Sequence, residues 1–293
     1  MKPAAFDYIA PGSVEELLQL IADREDAADT AILAGGQSLM PLVALRHATP
    51  SCLIDINGLE SELGQIELDG GGMRLGALVR QRTAERDARI AERVPLLAEA
   101  LPLCAKPAIR TRGTIGGSLA YADPAAEIPL VALALDAEMA VSGPRGDRVV
   151  PAAGFYTGAC ATALAADELL SAVVFPDLPE GTGTAFVEIS ARYADRAIAA
   201  AAAAVTVQDG SIARARVGLG GVAATPVLAR RAEAALTGQR PDAELLRSAA
   251  AIAAEDVDPS DDLRASAGYR KHVVGVLARR ALTTAIERAG SAA

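Results

Sequence analysis

Two short stretches hold residue types that could bind a ligand without a charged side chain. "AGGQS" spans residues 34–38 and "TIGGS" spans 114–118. Each joins a Gly-Gly step to a small hydroxyl residue, Ser38 in one and Ser118 in the other. Adjacent glycines reach positive φ and carry no Cβ. Successive N–H groups can then converge on one point and form a nest for an anion. Two such loops brought together could hold a pyrophosphate from both sides. The chain is acidic, with net charge −9, and main-chain amides supply positive potential where cations are scarce. Either stretch alone reads better as an ordinary tight turn, and only the matching pair brings the two readings level.

Other chemistries find little support. No GxxxxGK(S/T) run is present, so this is not a P-loop nucleotide site. Gly218-x-Gly220-x-x-Ala223 matches a Rossmann fingerprint. However, its strand would come out of a hairpin, and Thr225-Pro226 delays any helix. A strand closing into a loop is the preferred reading. Neither a GxSxG elbow nor a Ser-His-Asp set is evident. The cysteines Cys52, Cys104 and Cys160 are scattered, without a CxxC pair. The histidines His47 and His272 lack HExxH spacing. The chain is therefore expected to bind no metal, and its cysteines read as buried small hydrophobes.

The 293 residues suit two domains, or one large and one small. Half are apolar, 22% are charged, tryptophan is absent and aromatics make up 3%, so the cores must be aliphatic. No basic stripe offers a nucleic-acid surface. No apolar run is long enough to span a bilayer. The opening "MKPAAFDYIAPGS" lacks the apolar region of a signal peptide, so a cytoplasmic protein is the expectation.

The elements that would carry the two loops follow from periodicity. Residues 13–26 read as an amphipathic helix, with Ser13 as N-cap and Glu16 completing a capping box. A short strand at 30–36 runs into the first glycine pair. A short helix from Ser38 and a buried strand at 51–58 complete a βαβ-like unit. Residues 64–80 read as a hairpin around Gly70–Gly72, followed by helices at about 81–92 and 95–104. The stretch 114–129, "TIGGSLAYADPAAEIP", reads as neither helix nor strand. Residues 130–142 mix both characters. Beyond the turn residues 177–183 come alternating strands, an alanine-rich strand or helix at 199–204, a hairpin turn at Asp209-Gly210, and a helical tail. A domain boundary is expected near 177.

At "LAGGQSLMPLVALR" and "RTRGTIGGSLAYADPAAEIP" the sequence resembles the FAD-binding medium subunit of molybdenum hydroxylases, the carbon monoxide dehydrogenase and xanthine dehydrogenase family. Similar landmarks run along nearly the whole chain: "FDYIAPGSVEELLQLI", "FYTGACATALAADELLSAVVFP", "AFVEISARYADRAIAAAAAAV" and "YRKHVVGVLARRAL". The resemblance implies an α+β fold. A two-part FAD-binding domain of the PCMH/vanillyl-alcohol-oxidase type would span 1–177, with subdomains of about 1–58 and 59–177. A smaller domain at 178–293 would hold a three-stranded antiparallel sheet and a helical bundle. The stretch 114–129 would then be shaped to the cofactor.

It also implies site residues. Leu33, Ala34, Gly35, Gly36, Gln37, Ser38 and Leu39, with Thr114, Ile115, Gly116, Gly117 and Ser118, would embrace the FAD pyrophosphate. Asp123 and Glu127 fall where the family places acids near the ribityl and adenosine parts. Leu170 would give a backbone contact to the flavin, and Tyr193 would shield its ring. Two departures stand out. Glu188 lies where many relatives carry a lysine, and Arg196 where an aromatic or aliphatic residue flanks the ring. Charge there would retune the flavin.

The implied role is electron transfer with no catalytic acid or base on this chain. A large partner would hold the molybdenum cofactor and a small one two 2Fe–2S clusters, in a dimer of heterotrimers. Too few cysteines and histidines are present for this chain to hold those centres itself. A stand-alone FAD oxidoreductase with its own substrate pocket, or a flavin-free scaffold, are the rival readings.

Overall fold

The structure is a computed structural model that describes residues 2–23 and 29–291. Strands β1 (Asp7–Ile9), β2 (Thr30–Leu33) and β3 (Cys52–Asp55) form a parallel sheet in the order β1-β3-β2. Helix α1 (Val14–Ala22) connects β1 to the rest and buries Leu17 and Ile21. Its start follows the sequence: the Ser13 hydroxyl accepts from the Glu16 amide at 3.1 Å. The Glu16 carboxylate accepts from Gly12 N at 2.6 Å, one residue outside the expected capping box. The expected helical residues 24–26 lie outside the described residues. Helix α2 (Leu39–Leu45) crosses from β2 to β3, and α3 (Glu60–Leu63) leads out of this small lobe.

The second lobe is an antiparallel sheet flanked by short helices. Hairpin β4 (Ile66–Asp69) and β5 (Gly72–Gly76) is followed by α4 (Gln81–Arg86), α5 (Ala88–Arg93), α6 (Pro95–Ala100) and α7 (Pro107–Arg110). The single helix expected at 81–92 is two, because the Asp87 side chain caps a new start by accepting from Arg89 N at 2.9 Å. Helices α8 (Ile115–Tyr121) and α9 (Glu127–Ala134) come next, then β6 (Glu138–Ser142), β7 (Arg148–Pro151), α10 (Ala152–Phe155), the small hairpin β8 (Tyr156–Gly158) and β9 (Ala161–Thr162), and β10 (Leu169–Pro176). The sheet order is β4-β5-β10-β6-β7. Cys52 and Cys104 are buried as expected, but Cys160 is exposed, left-handed at φ 52° in the turn of the small hairpin.

The stretch 114–129 is mostly helical, contrary to the reading from sequence. Two glycines cost a helix about 2 kcal/mol by propensity, and Ala122 leaves α8 in the left-handed region at φ 53°. Contacts outweigh that cost. A Cβ on Gly116 would stand 2.5 Å from the Ala77 Cβ, so glycine is what lets α8 lie directly on the chain leaving β5.

Strands β11 (Thr182–Ser190), β12 (Ala197–Gln208) and β13 (Ser211–Gly220) form the three long antiparallel strands expected, with a two-residue fourth, β14 (Val227–Leu228), at the edge. Helices α11 (Arg230–Leu236), α12 (Ala243–Glu255) and α13 (Ala267–Ser291) cover one face. The alanine run is a strand buried on both sides. Ala199, Ala201 and Ala203 join the core under these helices, while Ala200, Ala202 and Ala204 join the core of the second lobe. Strand side chains alternate faces, so methyl groups on both let helices approach from either side. Gly218 and Gly220 pack on Leu130 of α9, and the next element is strand β14 rather than a helix, which removes the Rossmann reading. The expected boundary at 177 falls in the link between β10 and β11, although one hydrophobic core, including Phe175 and Phe186, spans that link. Among the described residues, no helix is long and apolar enough to cross a membrane.

Candidate functional site

A cavity of about 690 Å³ opens where the small lobe, the second lobe and the C-terminal part meet. Cofactor pockets are typically about 300–1,000 Å³. The two glycine loops form one wall. The α8–α9 junction, Cys104–Lys106, the start of β10 and the turn at 194–196 form the others. Of the expected site residues, 34–39, Thr114, Gly116, Gly117, Ser118, Asp123, Glu127 and Leu170 line it. Three do not. Leu33 closes β2 behind its loop. Ile115 is fully buried in the core. Tyr193 is 73% exposed, its hydroxyl donating to Pro102 O at 3.4 Å.

The loops touch each other. A Cβ on Gly35 would overlap Arg112 O and stand 2.8 Å from Gly113 Cα. Gly36 is left-handed at φ 70°. Their amides differ in a way the sequence did not foretell. Among the described residues, the N–H groups of Gly36, Gln37, Ser38 and Leu39 have no acceptor. Those of Ile115 to Ser118 in the second loop are engaged. Ile115 N donates to Val79 O at 2.9 Å, Gly116 N to Ala77 O at 3.0 Å, Gly117 N to the Thr114 hydroxyl at 2.9 Å, and Ser118 N to Thr114 O at 3.2 Å. The amides without acceptors therefore cluster in the first loop. The second loop supplies hydroxyls and a surface without side chains.

A chain of polar bonds fixes both loops from behind. Tyr8 Oη donates to Asp55 Oδ2 at 2.6 Å, and Asn57 donates to Asp55 Oδ1 from its backbone at 2.9 Å. Asn57 Nδ2 also donates to Ala34 O at 2.9 Å. Arg80 donates to Asn57 Oδ1 and to Arg112 O, each at 2.7 Å. Burial works to raise the Asp55 carboxyl, but the bonds from Tyr8 and Asn57 outweigh it and hold Asp55 below the ordinary carboxylate range. Sequence reasoning placed Asn57 only at the end of the strand expected at 51–58 and missed Arg80. No local pattern marks either, because their partners lie far away in the chain.

The opposite wall is acidic. Asp123 receives a bond from Arg196 Nη2 at 2.5 Å and caps Ala125 N at 2.9 Å. Glu127 is 8% exposed, and burial pushes its carboxyl up. Behind it, burial and then Glu127 push Glu188 up to about 8. Among the described residues Glu188 Oε2 is sealed and without a partner. Burial also raises the Cys104 thiol well above its usual value, with Glu127 adding to it. Glu188 therefore keeps its proton near neutrality, and burial shifts Glu127 in the same direction. Leu170 stands where a β-bulge between Leu170 and Ala172 bends β10.

These features fit FAD. Four successive amides without acceptors suit a diphosphate. The long cavity with apolar lining suits a flavin and its ribityl chain. Among the described residues, no group of three or more His, Cys, Asp or Glu side chains could hold a metal. Fold and cavity together define a cofactor-holding component of an oxidoreductase.

Comparison with known proteins agrees. Residues 4–178 match the FAD binding domain in molybdopterin dehydrogenase, and residues 184–285 match the CO dehydrogenase flavoprotein C-terminal domain. The chain is 39% identical over 290 residues to the 6-hydroxypseudooxynicotine dehydrogenase complex subunit alpha of Paenarthrobacter nicotinovorans, covering 99% of this chain and 97% of that one. It is 36% identical to the carbon monoxide dehydrogenase medium chain of Afipia carboxidovorans, covering 99% of each. The carbon monoxide dehydrogenase structure from Hydrogenophaga pseudoflava superposes with TM-score 0.95 at 37% identity, covering 98% of this chain and 99% of that chain. This chain belongs to the family of FAD-binding medium subunits of molybdenum hydroxylases.

Proposed function

We propose that this chain carries electrons between a partner's iron–sulfur clusters and an external acceptor, using FAD held in the cavity. When bound, FAD supplies a group that accepts and releases electrons singly or in pairs. The chain's own residues bind it, orient it and limit water. The amides of 36–39 would take the diphosphate. Thr114 and Ser118 would face it with hydroxyls, and Leu170 would present backbone to the flavin. Leu33 and Ile115 would act from behind, as packing. Tyr193 would reach the ring only by moving off Pro102. Glu188, protonated at neutral pH, and the buried Glu127, whose carboxyl is shifted up, leave the wall compatible with an anionic ligand. The division into 1–58, 59–177 and 178–293 is part of this reading, with the cavity where the three meet.

The observation that carries the proposal is the open nest of four amides in a cofactor-sized cavity. A large molybdenum-bearing subunit and a small iron–sulfur subunit are the proposed partners, assembled as a dimer of heterotrimers. The substrate would then bind outside this chain. Relatives whose names cite carbon monoxide and 6-hydroxypseudooxynicotine fit that separation, since one carrier design serves both. The test is co-purification with its partner chains, followed by flavin quantitation and rapid mixing of the complex with reductant. One flavin per chain, reduced only when the partners are present, is expected. A colourless chain that takes up no FAD refutes the reading, and turnover of a substrate by this chain unaided favours a stand-alone oxidoreductase.

A further inference from the structure

The cavity lining carries two cations, Lys106 and Arg196, against four carboxyl groups at Asp123, Glu127, Glu168 and Asp195. A dinucleotide with a diphosphate must enter this acidic wall. Three of the carboxyl groups are dealt with locally. Glu127 is buried. Glu168 is paired with Arg148 at 2.7 Å and accepts from Ala165 N at 2.8 Å. Asp195 accepts from Arg196 N at 2.8 Å within its own turn. Asp123 is left, and its charge is met from across the cavity by the Arg196 guanidinium at 2.5 Å.

The backbone is built to make that reach. The strand register slips between Ile189 and Ser190, and Ala194 turns in the left-handed region at φ 56°. Arg196 thereby ends the β11–β12 turn facing the α8–α9 junction. A second bond ties the same two parts, from Gly221 N to Pro124 O at 2.8 Å. Behind it, Arg270 donates to both Ile198 O and Gly221 O, at 2.6 and 2.8 Å. The Arg196 side chain is 47% exposed and that of Asp123 is 23% exposed, so the pair sits at the solvent edge of the cavity.

The geometry points to Arg196 as a positioning residue that retains the dinucleotide, by neutralising Asp123 and strapping the β11–β12 turn across the cavity edge. The inference rests on FAD being the ligand. Removing Arg196 has two costs for the bound state: the strap opens, and an unpaired anion faces a diphosphate. Removing both charges has only the first.

The test measures FAD affinity and release by the rise in free-flavin fluorescence, for the full chain in its complex, at several salt concentrations. Arg196→Gln should weaken FAD by roughly fivefold to tenfold at low salt, the range for a part-exposed charge opposed by a like charge. Added salt should narrow that gap. Arg196→Lys should recover part of the loss. The double variant R196Q/D123N should bind FAD more tightly than R196Q alone, because an asparagine side chain keeps the oxygen that caps Ala125 without the charge. The thermal midpoint of the FAD-free protein should stay within about 2 °C across the set, as expected for surface changes. An R196Q protein that holds FAD as tightly as the parent overturns the inference. So does a double variant no better than R196Q, or a loss of affinity matched by an equal loss of FAD-free stability. A parent protein that binds no FAD overturns the functional reading together with this one.

Discussion

Glu188 makes the stability of this chain depend on pH in the direction opposite to most carboxylates. It sits on β11 opposite Ala200, with one carboxyl oxygen sealed and unpartnered among the described residues. Burial first, and Glu127 second, raise it from 4.5 to about 8. Between those two values the folded chain holds a proton that the unfolded chain has released. Stability therefore falls as pH rises through this window, is full below the unfolded value, and is lost above the folded one. At about 1.4 kcal/mol per tenfold change, the window sets a ceiling near 5 kcal/mol. Glu188 is only partly buried, and water screens it, so about 1–2 kcal/mol is the expected observable. Glu188→Gln keeps the shape and removes the proton equilibrium. Urea unfolding from pH 5 to 9 should show the parent losing stability towards alkaline pH more steeply than E188Q. The variant should be the more stable of the two by about 1–2 kcal/mol at pH 9, with little difference at pH 5. Carboxylates that do not interact with Glu188 cancel in the difference between the two proteins. Parallel curves for parent and variant would show that Glu188 is ionised and solvated, and the account of a dry acidic wall would fail.

Three further outcomes follow from the packing. Gly35→Ala places a methyl group against Arg112 O and Gly113 Cα, both backbone, and should cost about 1–3 kcal/mol of stability with a loss of FAD uptake. Gly154→Ala, where a Cβ would meet nothing within 4 Å, is the matched control and should leave both unchanged in thermal melts and flavin titration. Thr114→Val removes the acceptor for Gly117 N and should lower stability by about 0.5–2 kcal/mol, with Thr114→Ser restoring it. Glu233→Ala removes the acceptor of the buried Val217 amide and one of the two carboxylate partners of Arg216, whose contact with Asp136 remains, and should cost about 1–3 kcal/mol in chemical denaturation. Glu233→Gln, which keeps an acceptor, should cost less.

How much of this was legible in the sequence depends on how far apart the deciding partners lie. The glycine pairs were legible, because positive φ and a missing Cβ are properties of the residue itself. So were the elements around them, whose periodicity is local. The helical character of 114–129 was not. Propensity argues against "IGGS" in a helix, and only the contact of Gly116 with Ala77, from a distant hairpin, reverses it. The Asn57 and Arg80 bonds span 23 and 32 residues, and the Arg196–Asp123 bond spans 73. No sequence pattern marks such pairs. The same reasoning explains why two motifs of similar composition do different work. Thr114 sits three residues before Gly117 and turns its hydroxyl back onto that amide, while Val79 and Ala77 take the two amides before it. The first loop has Leu33, without a hydroxyl, in the equivalent place, and Ser38 precedes α2 without a side-chain capping bond. Its amides are left without acceptors, and an anionic ligand would complete them. A glycine pair thus becomes an anion site only where the surrounding fold withholds other acceptors, so the binding loop is identified by tracing its donors.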